Sequence, residues 1–327
     1  MPIHRRGAIA ALACSFVLLA GPAWSQSGYP TKPVRIIVPF PPGQAADTFS
    51  RMLAERLTAL WGQQVLVENR GGGGGVPGVM AVKDAAPDGY TWLVGTSGTL
   101  GVNPSVYAKI PYDPLKDFAP ASNIFIVPLI IVAHPGFAPN TVAELVEAAK
   151  KAPGRINFAS AGPGTAQHMT GELFKLRAGV DLVHIPYKGS GPGITDLVGG
   201  QVPIMFDSVT SALPHIKSGR AKAIAVTTAQ RIAQLPDVPT VAESGYPGFE
   251  GVGWSGIVLP AATPREIVER VSADIRRLLS DPQLRERMLD RGGIPDPRTP
   301  QDYAAFLRSE IEKWAQVARA ANVRLDQ

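Results

Sequence analysis

Short runs of β-branched residues alternate with helical patterns along most of this chain, and this alternation limits its possible folds more than any other feature. The runs predict strands near residues 34–38, 65–67, 91–94, 125–132, 156–159, 182–185, 204–206, 221–226 and 254–258. Helix starts are indicated by a capping box at Thr141–Glu144 and by Thr-Pro pairs at 263–264 and 299–300. Strands separated by helices are typical of parallel βαβ units, so the sequence predicts an α/β fold.

The alternation is interrupted twice, near residues 124–135 and near residues 245–254. At the first interruption Pro128 splits a long apolar stretch, as if one strand left a first sheet and another entered a second. The chain is also too long for one ordinary core. We therefore expect two lobes, each with a doubly wound sheet, and a ligand cleft between them. Lobe one is predicted to contain residues 26–125 and 250–327, and lobe two residues 126–249.

The first predicted strand runs into Pro39-Phe40-Pro41-Pro42-Gly43-Gln44, which we call the lobe-one loop, and a helical pattern follows. The first N–H groups of such a helix have no internal partner, and they attract negative charge. The loop contains no Lys or Arg, so an anion here must be held by backbone dipoles, neutral side chains or water. The predicted ligand contacts are Phe40, Pro41, Gly43, Gln44 and Ala45. Asp47 is also a candidate, although a cap that fixes the loop suits it better, because its charge would repel an anion.

Lobe two has a counterpart, the lobe-two loop, in Ser160-Ala161-Gly162-Pro163-Gly164-Thr165. It also follows a strand, begins a helix and contains no charged residue. Two uncharged helix ends would suit a carboxylate held between the lobes, whereas two ordinary helix caps are the alternative. The candidate ligand residues from here and from other strand ends are Ser97, Thr99, Ser160, Gly164, Thr165, His168, Tyr187, Lys188 and Asp207.

Two of these candidates are charged. Lys188 is the one cation expected near the cleft, although most lysines lie at the surface without binding a ligand. Asp207 follows the strand near 204–206, where it could receive a hydroxyl or ammonium group of the ligand. Its alternative role is to cap the next helix.

Six segments carry a resemblance to a known family. They are residues 38–47, Val67-Glu68-Asn69-Arg70, Pro87-Asp88-Gly89-Tyr90-Thr91, Tyr112-Asp113, His184-Ile185-Pro186-Tyr187-Lys188-Gly189 and Leu235-Pro236-Asp237-Val238-Pro239-Thr240. Together they resemble the Bug family, the extracytoplasmic substrate-binding proteins of tripartite tricarboxylate transporters. The family pattern usually has two glycines after the prolines. This chain has Gly43 followed by Gln44.

The resemblance implies the two-lobed periplasmic binding protein fold and a carboxylate ligand contacted by both loops, partly through water. It implies an exported solute-binding protein that delivers this ligand to a membrane transporter and performs no chemistry. An exported hydrolase or isomerase on the same scaffold is one alternative. A sensor subunit that docks on a receptor kinase is another. Dicarboxylates, tricarboxylates, aromatic acids, acidic amino acids and nicotinate-like compounds all remain possible ligands.

Signatures of catalysis or cofactor binding are weak. The chain has no G-x-S-x-G, H-E-x-x-H or P-loop motif, and its histidines are not spaced as a metal pair on one helix. Gly73, Gly75 and Gly78 formally satisfy G-x-G-x-x-G, but Pro77 lies inside that match and a run of glycines produces it easily. A relay of Ser160, His168 and Asp207 is conceivable without further support. We expect no catalytic residue, cofactor or metal.

Residues 1–25 predict a secretory signal peptide, because Arg5 and Arg6 precede an apolar core and small residues follow at 23–25. Its removal would leave 30 Lys and Arg against 27 Asp and Glu, a net charge of +3 without a basic run, which argues against a nucleic-acid partner. The single cysteine, Cys14, lies in this segment, so no disulfide or thiolate metal site is expected. We expect a periplasmic monomer that is not embedded in the membrane.

Overall fold

The computed structural model describes residues 28–325, and the predicted signal peptide lies outside them. The elements as far as the longest strand are β1 (Val34–Val38), α1 (Ala45–Trp61), β2 (Val65–Asn69), α2 (Val76–Lys83), β3 (Thr91–Thr96), α3 (Asn103–Val106) and β4 (Phe118–Ala133). A 3₁₀ turn at Gly73–Gly75 precedes α2, and a π-helical turn at Ser97–Val102 precedes α3.

The second half of the chain continues the alternation and then becomes mostly helical. Its elements are α4 (Val142–Lys151), β5 (Asn157–Ser160), α5 (Ala166–Ala178), β6 (Val183–Pro186), α6 (Ser190–Val198), β7 (Ile204–Ser208), α7 (Val209–Lys217), β8 (Lys222–Val226), β9 (Val252–Pro260), α8 (Arg265–Leu279), α9 (Pro282–Asp290), β10 (Ile294–Pro295) and α10 (Pro300–Ala320). In residues 28–325, no helix combines the length and apolar character needed to cross a membrane.

Two groups of parallel strands are joined through antiparallel ones. In lobe one the order is β2-β1-β3, all parallel, followed by antiparallel β9 and β4. In lobe two β6, β5 and β7 are parallel, whereas β7 and β8 pair antiparallel with β4. The expectation of parallel units throughout was therefore wrong for β4, β8 and β9. Residues 107–117 before β4 and 227–251 before β9 form no helix, so neither strand is entered through the helical crossover that parallel neighbours usually have.

The longest strand, β4, belongs to both lobes. Its residues 118–128 pair with β9, and residues 129–133 pair with β7 and β8. The sequence predicted only residues 125–132 as strand, a span that includes Pro128, and missed residues 118–124, which contain Pro120. Register shifts near Pro120 and Asn123 accommodate the irregularity. The predicted lobe boundaries lie close to the change of partner in β4 and to the start of β9, and their placement stays a prediction.

Each lobe has its own apolar core. In lobe one Phe49 and Leu53 on α1 pack with Phe125 of β4, and in lobe two Phe158 of β5 packs with Phe206 of β7. Each of these side chains is at most 1% exposed. Burial of one such side chain stabilises the fold by about 1.5–3 kcal/mol. These cores hold the strand ends, and hence the loops that follow them, in fixed positions.

The helix start signals were mostly correct. Thr141 and Thr299 cap α4 and α10, since their side chains accept the N–H groups of Glu144 and Asp302. The prediction that Thr263 caps α8 was wrong. Pro264 has an extended ψ of 134° and its carbonyl accepts the N–H groups of Ile267 and Val268, so the helix begins one residue later.

Candidate functional site

The carboxyl ends of the parallel strands meet around one cavity between the lobes. The cavity has about 550 Å³ free of protein atoms, including its mouth, of which about 70 Å³ admits the centre of a water molecule. Its lining residues are Phe40, Gln44, Ala45, Ala46, Thr96, Ser97, Gly98, Phe125, Val127, Leu129, Thr165, Ala166, Gln167, Ser190, Ser208, Gly253, Trp254 and Ser255.

The lobe-one loop is fixed by the carboxylate of Asp47, which is 4% exposed. The N–H of Gly43 donates to Asp47 Oδ2 at 3.0 Å, while Arg51 Nε and Asn69 Nδ2 donate to Oδ1 at 3.0 and 2.9 Å. Burial alone would raise the pKa of Asp47, but the hydrogen bonds from Arg51, Gly43 and Asn69 outweigh it and hold the pKa below its usual range. Asp47 is therefore occupied in shaping the loop.

The lobe-two loop is fixed by a pair of stacked histidines. The rings of His168 and His184 lie 3.9 Å apart at 16°, and Phe158 stacks on the far side of His184. The N–H of Gly164 donates to His168 Nδ1 at 3.2 Å, and Ser160 Oγ lies 2.7 Å from His184 Nε2. The loop thus rests on the two rings through Gly164 and Ser160.

Both histidines are neutral in the folded protein. Desolvation by burial lowers the pKa of His168 to about 4, with a further contribution from Lys175. Burial likewise lowers the pKa of His184 to about 3, helped by His168 and Lys175. Because His168 Nδ1 accepts a hydrogen bond, that nitrogen carries no proton. The support of this loop is therefore uncharged at neutral pH.

Asp207 lies beneath the cavity at the end of β7 and is fully buried. Its Oδ1 accepts hydrogen bonds from Ser190 Oγ at 2.5 Å and from the N–H of Ser208 at 2.8 Å. Within residues 28–325, Oδ2 has no hydrogen-bond partner. Burial raises the pKa of Asp207 to about 6 despite the hydrogen bonds from Ser190 and Ser208. Asp207 does not cap α7, because the side chain that accepts from Ser211 N–H is that of Ser208.

The lobes approach each other closely beside the cavity. A Cβ atom on Gly98, in the turn after β3, would lie 3.2 Å from the carbonyl oxygen of Gly164 in the lobe-two loop. Thr96 caps this turn, since its hydroxyl and that of Thr99 exchange hydrogen bonds with the two backbone N–H groups. The structure therefore represents a conformation in which the two loops face each other at short range.

The predicted site residues fall into three sets. Phe40, Gln44, Ala45, Ser97 and Thr165 line the cavity. Another set, Pro41, Gly43 and Lys188, lines a groove outside it, together with Gln44 and Ala45. The remaining candidates line neither space, and most of their polar groups bond to protein: they are Asp47, Thr99, Ser160, Gly164, His168, Tyr187 and Asp207. Ligand contact by any of these residues stays a proposal.

Several lining residues were not predicted. Ala46, Gln167, Ser190 and Ser208 lie in first helical turns or at caps, and the strand-then-helix signal could have identified them. By contrast, the apolar side of the cavity has no such signal. It comes from Phe125, Val127 and Leu129 of β4 and from Trp254 of β9, which read as ordinary buried strand residues in the sequence.

The conceivable Ser160–His168–Asp207 relay does not form. Ser160 bonds to His184, is fully buried and faces no open space. Asp207 bonds to Ser190 and Ser208 instead of a histidine. Across the part of the chain that the structure describes, no group of three or more His, Cys, Asp or Glu residues is arranged to hold a metal ion.

A two-lobed α/β fold with a cavity between strand ends and helix N-termini defines the class of solute-binding proteins with a periplasmic binding protein fold. The sequence matches, over residues 49–323, the family described as the tripartite tricarboxylate transporter family receptor, and the chain belongs to that family. Protein BugT of Bordetella pertussis is 38% identical over 313 residues, which cover 95% of this chain and 96% of BugT. The resemblance inferred from the motifs is thus confirmed.

Solved structures agree with this assignment. The structure of Rpa4515 from R. palustris with adipate is similar with a TM-score of 0.87 and 33% identity, covering 91% of this chain and 100% of that one. MatC from Rhodopseudomonas palustris with bound malate gives a TM-score of 0.82 and 33% identity, covering 88% of this chain and 99% of that one. The expected two-lobed fold is confirmed.

Proposed function

We propose that this protein binds a small organic carboxylate in the cavity between its lobes and delivers it, without chemical change, to a membrane transporter. One observation carries the proposal. The N-termini of α1 in lobe one and α5 in lobe two open onto the same cavity, and none of the described residues that line it is charged. A helix N-terminus favours an anion through its free N–H groups and its dipole.

The neutral side chains of the lining support the same ligand class. Ser97 and Gln167 carry donors that can complete the hydrogen bonds of a carboxylate or of the waters around it, whereas the hydroxyl of Thr165 already donates to the carbonyl of Gly162. Burying an anion is costly unless its charge is compensated and its oxygens are hydrogen-bonded, and here the partial positive charges of the two helix N-termini supply the compensation. The two relatives with adipate and malate bind dicarboxylates, which suits a cavity with a helix end from each lobe.

The apolar side of the cavity favours a ligand with a hydrocarbon part. Phe125, Val127, Leu129 and Trp254 supply that part of the lining. Contact with methylene groups would add about 0.8 kcal/mol for each CH₂ removed from water. A short acid with carboxylates at its ends and carbons between them matches this division of the lining.

The cellular setting of the proposal comes from the family. A transporter receptor acts outside the cytoplasmic membrane, so residues 1–25 are proposed to direct export to the periplasm. The transporter subunits are the proposed protein partners, and a monomer is the proposed functional unit. Capture would draw the lobes together, and the transporter would recognise the closed form.

A thermal-shift panel of carboxylic acids tests the proposal, with the matching amide of each acid as a neutral control of nearly equal shape. Protein that has been unfolded, dialysed and refolded ensures an empty cavity. We expect at least one acid at a hundredfold excess over its dissociation constant to raise the free energy of unfolding by about 2.7 kcal/mol, and its amide to have little effect.

Two outcomes would contradict the proposal. Refolded protein that responds to no acid, or to the amides equally well, does not recognise a carboxylate. If incubation converts a bound acid to another compound, as judged by mass spectrometry of the recovered ligand, the protein is an enzyme on this scaffold. Ligand extracted unchanged from freshly purified protein would name the physiological acid directly.

A further inference from the structure

The side chain of Gln44 crosses the space between the lobes and reaches the backbone of Gly189. A Cβ atom added to Gly189 would lie 2.8 Å from Gln44 Nε2 and 3.8 Å from its Cδ. Gly189 also has a φ of 106°, which a side chain would strain. Glycine at this position therefore leaves room for the amide of the opposite lobe.

This contact stands between two spaces. The inner one is the cavity already described, and the outer one is a groove with about 770 Å³ free of protein atoms. Both spaces are lined by Gln44, Ala45, Ser190 and Ser208, which therefore form the wall between them. Lys188 lines only the outer groove, and its side chain is exposed.

The backbone on each side of the contact is anchored. In lobe one Asp47 holds the N–H of Gly43, and the carbonyl of Gln44 accepts the N–H of Thr48 at 2.9 Å. In lobe two the N–H of Gly189 donates to the carbonyl of Ala161 at 3.0 Å. The side chain of Gln44 is thus the movable part of this wall, and its amide makes no hydrogen bond to residues 28–325.

We infer that Gln44 limits the length of the bound acid by closing the outer end of the cavity against Gly189. An acid short enough for the inner cavity keeps this contact and can accept a hydrogen bond from the Gln44 amide. A longer acid must displace the amide to extend into the outer groove toward Lys188. The inference deepens the proposed carboxylate function and rests on it.

The test is a series of straight-chain dicarboxylates from succinate to suberate, titrated by calorimetry into the wild-type protein and into Gln44→Ala. The alanine keeps a Cβ atom, so the backbone preference at this position changes little, and Gln44→Gly serves as a second variant with the same side chain removed. We expect the ratio of suberate to succinate affinity to rise by about tenfold or more in both variants, the scale on which pockets discriminate between chain lengths.

A double-mutant cycle separates the contact from backbone strain. Gly189→Ala strains the backbone whatever occupies position 44, but it clashes with the amide only when Gln44 is present. We expect Gly189→Ala to weaken succinate binding at least threefold more in the wild-type background than in Gln44→Ala. Gly191→Ala is the matched control, because a Cβ atom there has no neighbour within 4 Å.

The outcomes distinguish the two proposals. If wild-type protein binds members of the series but Gln44→Ala changes all affinities by one common factor, Gln44 does not limit length, although carboxylate binding stands. Independent effects of Gly189→Ala and Gln44→Ala would likewise overturn the contact. If the wild-type protein binds no acid in the thermal-shift panel, the carboxylate function fails, and the length limit fails with it.

Discussion

In lobe one a buried negative charge holds the loop that faces the cavity, whereas in lobe two a pair of neutral rings does so. The carboxylate of Asp47 accepts hydrogen bonds from the N–H of Gly43 and from the side chains of Arg51 and Asn69. His168 takes the N–H of Gly164 and stacks on His184. Both arrangements fix a strand-to-helix turn from behind, and both leave the first N–H groups of the helix free toward the cavity.

A neutral cavity therefore does not require neutral supports. The charge of Asp47 is compensated by the half-exposed guanidinium of Arg51 at 2.9 Å, so little of it acts on the cavity. The histidines need no compensating ion, because burial keeps them uncharged. The two loops should therefore respond differently to substitution and to acid, and the following predictions test that contrast.

The largest effect is expected for Asp47→Ala. It removes the acceptor of the Gly43 N–H, one of the two acceptors of the Asn69 amide, and the ionic partner of Arg51, which keeps its hydrogen bond to Asn69 Oδ1. We expect a loss of about 3 kcal/mol in the free energy of unfolding, at the lower end for a broken buried pair because Arg51 is half exposed. Urea denaturation measures it, with Glu147→Gln as control. Loss of the exposed pair between Glu147 and Lys151 should leave the stability nearly unchanged. Equal losses would show that Asp47 is an ordinary surface ion.

Removing the neutral support of the lobe-two loop should lower the free energy of unfolding by less than removing Asp47. His168→Phe keeps an aromatic ring against His184 but deprives the buried N–H of Gly164 of its acceptor. We expect a loss of about 1–2 kcal/mol. The matched control is His134→Phe, because His134 Nδ1 accepts the N–H of Gly136 in the same way at an exposed site, where water can replace it. If the two variants lose the same stability, burial of the Gly164 hydrogen bond does not add to its contribution to stability.

Acid should destabilise the protein through lobe two first. His168 and His184 take up protons near pH 6.5 when unfolded but only near 4 and 3 when folded, so stability falls as the pH drops below 6.5. Asp207 acts oppositely. Its pKa is about 6 folded and 3.8 unfolded, so in that range the folded state holds the extra proton and gains stability on acidification.

Between pH 6 and pH 4 these three groups together bind about one more proton in the unfolded state than in the folded state. The free energy of unfolding should therefore fall by about 1.4 kcal/mol for each pH unit in that range. Asp207→Asn removes the proton that the folded state takes up, so the free energy of unfolding should fall about twice as steeply with decreasing pH. His168→Phe removes one of the two histidine protons and should flatten this dependence. Denaturation curves at closely spaced pH values measure the slope. A slope that both variants leave unchanged would mean that other groups control acid stability.

The smallest effect concerns salt. Because the described lining is neutral, affinity for a bound acid should change less than about threefold between low and physiological ionic strength. Lys188→Gln should alter this dependence slightly, through the outer groove, and the equally exposed Lys217→Gln should not alter it at all. A steep loss of affinity with salt in the wild-type protein would reveal a cationic anchor that the structure does not place in the cavity.

Local signals predicted the two loops. Each loop follows a strand pattern, contains a proline- or glycine-rich turn and precedes a helical pattern, and all three signals lie close together in the sequence. The role of Asp47 in fixing its own loop could be anticipated for the same reason. The pairing of Ser160 with His184 could not, since it joins residues 24 positions apart across neighbouring strands. The sequence suggested His168 as a residue near the cleft, but the stack on His184 depends on how β6 lies beside β5 and α5.

The extent of β4 was also beyond sequence patterns. Pro120 and Pro128 are unfavourable within a strand, yet irregular register absorbs the first and the change of pairing partner coincides with the second. Likewise the Gln44–Gly189 contact connects residues that no periodicity relates. Gln44 departs from the family pattern in the sequence, but its proximity to Gly189 depends on how the two lobes are folded together.

The shared strand β4 has a consequence for how the molecule can be divided. A cut at its change of partner would place two new chain ends in the middle of a continuous strand, beside Val127 and Leu129, which are 3% and 1% exposed. Neither lobe should then be recoverable as a folded fragment, even though each has its own core. The two lobes are expected to melt together in one calorimetric transition, and a ligand held by either loop would protect the whole chain.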